Sequence, residues 1–157
     1  MIDPIEFRQA LGSYATGVTI ITTVDQDGNK IGMTVSSFNS LSLDPPLILW
    51  SIDKSTGVFE EFTTCSHFAV HVLKEDQEQW SNHFAGKGFD KFKEVDSLPG
   101  LGGVPLLDHV CARFECSLEN CFDGGDHIII VGRVEKMAHE EARPLVFCQG
   151  RYQKLAE

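Results

Sequence analysis

The sequence lacks the signatures of several common catalytic scaffolds. It has no G-x-G-x-x-G after a strand-like run, no G-x-x-x-x-G-K-[ST], no H-E-x-x-H and no G-x-S-x-G. A dinucleotide-binding parallel sheet, a P-loop, a zincin helix and a serine nucleophile elbow are therefore not expected. The five cysteines (65, 111, 116, 121 and 148) contain no C-x-x-C pair. Cys111, Cys116 and Cys121 are spaced by five and fall on alternating faces of a strand, a poor metal cage. Reduced, mostly buried thiols in a cytoplasmic protein are expected instead. Among six histidines only His67 and His71 lie close together. On a strand they stand about 13 Å apart, too far to share a zinc ion. The longest apolar runs, "PLILW" and "IIIV", are too short to cross a bilayer. The opening "MIDPIEFRQA" has no basic stretch leading into an apolar one, so no secretory signal is expected. Positive charge is scarce too. Lys and Arg number 13 against 23 Asp and Glu, and the net charge of −10 argues against nucleic acid and anionic membranes as partners.

What is present fits one globular domain over residues 1–157. Hydrophobic residues make up 42% and charged residues 23%, with no internal repeat. Asp3, Pro4 and Glu6 form a capping-box-like start to a helix whose apolar face is Phe7, Leu11 and Tyr14. The period then changes. β-branched "VTIITTV" (18–24) runs into the turn "DQDGN" and a return strand over 30–38. A strand is predicted over 45–52, a helix capped by Ser55 over 55–65, and a strand over 67–73. A second amphipathic helix is predicted over 75–85, carrying Trp80 and Phe84, then a loop over 86–103. Long strands over 110–121 and 127–139 and a last strand over 144–155 complete the chain. Short turns without regular βαβ alternation predict a mainly β protein with flanking helices, built as an antiparallel barrel.

Two stretches bear on chemistry. In "GMTVSSFNSLSLDPPLILW" (32–50), Thr34, Ser36, Ser37, Asn39, Ser40 and Ser42 crowd small polar side chains into nine positions. They make either an exposed turn or a set of short donors suited to a polyol and a phosphate. Lys54, followed by Ser55 and Thr56 at a predicted helix start, supplies a cation beside free N–H groups, a pattern that holds anions. Arg151 and Lys87 are alternative phosphate partners, and Lys54 also reads as a solvated turn lysine. In "FDGGDHIIIVGRVE" (122–135), Gly124 and Gly125 precede Asp126 and His127 at the mouth of an apolar strand. His127 either simply begins the strand or is an imidazole held in one orientation by Asp126.

The segments "FRQALGSYATGVTIITT" (7–23), "GMTVSSFNSLSLDPPLILWSI" (32–52), "HFAVHVL" (67–73), "GVPLLDHVCARFEC" (103–116) and "GDHIIIVGRVE" (125–135) together resemble the short-chain flavin reductase family. These are FMN-binding split barrels that include reductase components of two-component flavin monooxygenases. The resemblance implies a homodimer with flavin near the subunit interface. It places Thr34, Val35, Ser36, Ser37, Ser40 and Ser42 around the flavin ring, ribityl chain and phosphate. It puts His127, the catalytic candidate, beside the reduced nicotinamide. The implied reaction is hydride transfer from NADH or NADPH to FMN or FAD, with reduced flavin diffusing to a partner monooxygenase. Val35 and Ser36 depart from the usual small residue and Asn or Ser after the threonine, which clouds flavin preference. Arg133 and Arg151 are possible partners for a 2′-phosphate. An electron-carrying flavoprotein of the same fold is the alternative, and the Gly-Asp-His motif favours the reductase.

Overall fold

A computed structural model describes residues 1–157. Helix α1 (Pro4–Gly12) starts as its sequence dictates: Asp3 accepts a hydrogen bond from the Glu6 N–H at 3.3 Å, and Pro4 occupies the first turn. Its apolar residues do not enter the core, however. None of its residues is buried, and Phe7, Leu11 and Tyr14 are all exposed.

The strands that follow are β1 (Thr16–Gly17), β2 (Thr19–Val24), β3 (Lys30–Val35), β4 (Asn39–Ser42) and β5 (Leu47–Asp53). Then come α2 (Phe59–Thr64), β6 (His67–Val72), α3 (Glu78–Ala85), β7 (Leu98–Pro99) and β8 (Pro105–Leu106). The long β9 (Ala112–Gly124) and β10 (His127–His139) precede β11 (Val146–Cys148) and β12 (Arg151–Gln153). The main sheet has the order β3-β2-β6-β9-β10-β5-β4, and all its pairings are antiparallel. Its two edges, β3 and β4, are consecutive in sequence and joined only by residues 36–38. This split is where the predicted 30–38 strand breaks.

The interior is filled from inward-facing positions. Trp50 is fully buried, with Phe62 edge-on at 5.1 Å and Phe68 at 6.0 Å. A second cluster gathers Ile20, Leu73, Phe84 and Leu107. Gly132 explains itself by packing: a Cβ there would lie 2.5 Å from the Phe68 ring and 3.0 Å from Cys116 Cβ. The strand must pass bare at this point, and it does so at a register shift.

Several predicted boundaries move. The helix expected over 55–65 is only Phe59–Thr64. Ser55 does not cap it, because its N–H and hydroxyl both bond the Asp53 carboxylate at 2.8 and 2.7 Å in a tight turn. The last strand is two, β11 and β12, joined at Gln149-Gly150, both with positive φ. β4 occupies what reads as an exit loop, and the short β1, β7 and β8 also lie outside the predicted strands.

Candidate functional site

The β9–β10 hairpin closes through two residues, Gly125 and Asp126, since Gly124 and His127 are paired. Gly125 has φ +81°, the left-handed conformation at the first turn position that favours glycine. This turn sets Asp126 and His127 at the hairpin tip. His127 Nδ1 lies 2.7 Å from Asp126 Oδ1, with the imidazole about two-fifths exposed. The tip is pinned from below: the Lys54 N–H donates to the Asp126 carbonyl at 2.9 Å, and His127 pairs with Asp53.

Ser37 brings the start of the hydroxyl-rich stretch towards the same end of β5, whereas Asn39–Ser42 pair with its Leu47–Leu49 end. The Ser37 hydroxyl donates to the Ser51 carbonyl and accepts from the Ser51 N–H, each at 3.0 Å. Ser51 is two residues from Asp53, about 7 Å along the strand. Ser36, Ser37, Asn39 and Ser40 are exposed, and β4 pairs on one side only, with β5. Its outer edge therefore offers hydroxyls and unpaired backbone groups together. That donor set fits a polyhydroxyl chain and a heteroatom-rich ring.

Not every expected residue stands free. Thr34 turns to α3, where its hydroxyl donates to the Ser81 carbonyl at 2.6 Å. Val35 is buried in the barrel, as alternation predicts. Ser42 lies at the far end of β4, opposite Leu47. Arg151 sits exposed on β12, in the separate small sheet with β1 and β11.

The helix start expected beside Lys54 lies further on. With α2 starting at Phe59, no helix N-terminus faces Lys54, and six residues make too short a helix to serve as one. Lys54 Nζ instead lies 2.5 Å from Asp123 Oδ1, and this hydrogen bond holds the Asp123 carboxyl below its usual range. Asp53 is also lowered, chiefly by the Ser55 N–H and hydroxyl. Asp53, Asp123 and Asp126 thus surround Lys54 and His127. Their charges are opposed by Lys54, held on Asp123, and by Lys87, which acts on Asp53.

His71 is fully buried, its Nδ1 at 2.9 Å from the Ile20 carbonyl and its Nε2 accepting from the Leu107 N–H at 3.0 Å. Both nitrogens are satisfied by a neutral ring, and burial pushes its pKa down to about 4. It is a core residue. All five cysteines are free thiols. The site element hardest to see in sequence is a cleft of about 830 Å³ between α1 and the β11–β12 turn, which Ser36 joins to the hydroxyl stretch. It depends on α1 standing off the core, and no local pattern announces that.

Comparison with known proteins places this geometry in a family. The flavin reductase like domain model matches residues 11–156. The "FMN reductase (NADH) SmoA" of Agrobacterium fabrum is 46% identical over 146 residues, covering 93% of this chain and 83% of that protein. The "Flavin-dependent monooxygenase, reductase subunit HsaB" of Rhodococcus jostii is 41% identical over 152 residues, covering 96% and 77%. The solved "NADH:FAD oxidoreductase SgcE6" of Streptomyces globisporus, "in complex with NAD and FAD fragments", superposes with a TM-score of 0.92 at 34% identity, covering 99% and 96%. Against two further relatives the chain spans about half their length, 49% and 47%. The chain belongs to the flavin reductase-like domain family.

Proposed function

We propose that this chain is an NAD(P)H:flavin oxidoreductase in which His127 positions the nicotinamide and the Ser36–Ser42 edge holds the flavin. The observation that carries the reading is the hairpin tip: a half-exposed imidazole next to its neighbouring carboxylate, with the Ser37 hydroxyl held on Ser51, two residues along β5 from the Asp53 that pairs with His127. A flavin held at this edge would supply the hydride acceptor, and a reduced nicotinamide at His127 the hydride donor. The chain's own contribution is placement. Asp126 accepts from Nδ1–H, which leaves His127 Nε2 directed outward as the ring's free polar atom. The main-chain bond from Lys54 to Asp126 and the register with Asp53 fix the tip against β5. Reactions of this type gain from positioning and water exclusion rather than from a proton-abstracting base. The flavin is FMN or FAD, and the donor is NADH or NADPH.

The outer face of the sheet supports a homodimer. β5 is apolar on both sides, with Ile48, Trp50 and Ile52 inward and Leu47 and Leu49 outward. Ile129 and exposed Phe122 continue that outer face on β10 and β9, and Leu43 is almost wholly exposed nearby. A second copy covering this face removes apolar surface from water, and family precedent puts flavin close to such an interface. The single domain is cytoplasmic in this reading, where five free thiols stay reduced. The reductase subunits among its relatives support delivery of reduced flavin to a monooxygenase.

The test is to mix the protein with NADH or NADPH and an excess of FMN or FAD, following nicotinamide and flavin absorbance together. Turnover that requires added flavin is the expected result. A tightly retained flavin with no donor oxidation would contradict the reductase and favour an electron carrier.

A further inference from the structure

We infer that Thr34 is a positioning residue: held by α3, it fixes the point at which the chain leaves β3 and so sets where the Ser36 hydroxyl meets the flavin. It acts through Ser36 rather than by donating to the flavin itself. The inference rests on the reductase reading above, with flavin at the Ser36–Ser42 edge.

The need for such a grip follows from the topology. β3 and β4 are the two edges of the main sheet, and no ladder joins them. Residues 36–38 alone span the gap, and a connection without backbone pairing stays mobile unless side chains hold it. Three hydroxyls do so. On the β3 side, buried Thr19 donates to the Val35 carbonyl at 2.9 Å, and Thr34 donates to the Ser81 carbonyl at 2.6 Å. On the far side, Ser37 is held on Ser51 by two hydrogen bonds of 3.0 Å. Ser36 stands exposed between these anchors.

Thr19 and Thr34 do different work. Thr19 lies opposite Val35 in the β2–β3 ladder, so its bond repeats a pairing that exists already. Thr34 reaches out of the sheet to a helix with an anchor of its own. Of the eight residues of α3 only Ser81 and Phe84 are buried, and no side chain caps the helix start. Ser81 carries the grip in two directions. Its hydroxyl lies 2.6 Å from the Tyr152 hydroxyl, which donates to Asn82 Oδ1 at 2.9 Å. With the phenol proton used there, Ser81 donates to Tyr152. Its carbonyl takes the Thr34 proton. Tyr152, Ser81 and Thr34 thus tie β12, α3 and the end of β3 together, and every hydroxyl proton among them is committed. Thr34 has none left for a ligand.

The test is fluorescence titration of FMN and FAD into the parent, Thr34→Val, Thr34→Ser, Ser36→Ala and the double variant Thr34→Val/Ser36→Ala. Valine keeps the β-branched shape and removes the donor, and thermal melting runs alongside. Thr34→Val should weaken flavin about threefold to tenfold, the effect of one hydrogen bond, and Thr34→Ser should bind as the parent does. The double variant should bind no more weakly than the weaker single one, because both changes remove the same contact. Additive losses overturn the inference, since Thr34 then meets the flavin independently. Parental affinity in Thr34→Val or in Ser36→Ala also overturns it, whatever happens to the melting temperature. Should the parent bind neither flavin, the reductase reading fails, and amide exchange at residues 36–38 of the flavin-free protein then tests the grip by itself. Faster exchange in Thr34→Val than in Thr34→Ser supports it, and equal exchange overturns it.

Discussion

His127 Nδ1 and Asp126 Oδ1, adjacent in sequence, lie 2.7 Å apart at the tip of the β9–β10 hairpin. The contact fixes which ring nitrogen carries the proton and which points outward. Asp126→Ala should therefore raise the KM for NAD(P)H by about two- to tenfold, the effect of one hydrogen bond. Flavin affinity and melting temperature should hold, since Asp126 is nine-tenths exposed and buries nothing. Flavin titration beside steady-state kinetics separates these outcomes, and a parallel fall in flavin affinity would refute a role confined to orienting His127.

Lys54 lies between two partners. Its ammonium is bound to Asp123 at 2.5 Å, so any flavin phosphate must compete with that carboxylate. If it does, Lys54→Ala weakens FMN about ten- to a hundredfold, and Asp123→Asn tightens it by freeing the lysine. Fluorescence titration of both variants is decisive as a pair. No change in either puts the phosphate away from Lys54.

Acid should destabilise the fold through His71. Its pKa falls from 6.5 unfolded to about 4 in the core, so below 6.5 the unfolded chain binds a proton that the native state refuses. The stabilisation is complete above 6.5 and is lost as pH drops from 6.5 towards about 4, amounting to about 3 kcal/mol. Urea unfolding across that window, for the parent and for His71→Gln, isolates this contribution from the carboxylates. Identical slopes for the two proteins would remove His71 from the account.

Gly132→Ala should cost about 1–3 kcal/mol by overpacking, because the new methyl meets the Phe68 ring at 2.5 Å. Thermal melting reads it directly. A variant as stable as the parent would mean that the ring shifts freely.

Local chemistry made some of this legible in the sequence. The cap at Asp3-Pro4, the β-branched run of β2 and the limits of β10 all follow from nearest-neighbour rules, and the structure keeps them. Asp126 and His127 were readable because a glycine turn and the residues it presents are adjacent. What escaped depends on distant partners. Ser55 reads as a helix cap until Asp53 claims both its donors. Lys54 reads as a free cation until the long hairpin delivers Asp123 from 69 positions away. The polar sequence of β4 gives no strand signal, since only pairing with β5 makes it one. α1 has the pattern of a packed helix, but no core face in this chain receives it.

The measurement that tests the central claim most directly is rapid-mixing reduction of flavin by NAD(P)H in the parent and in His127→Ala, with thermal melting alongside. If His127 positions the nicotinamide, the variant melts normally and binds flavin as the parent does. Its reduction is slower, or needs more donor, by up to about a hundredfold, the loss that a displacement on the order of 1 Å brings when a site acts by placement. A variant that melts normally and reduces flavin at the parental rate at every donor concentration would contradict the assignment.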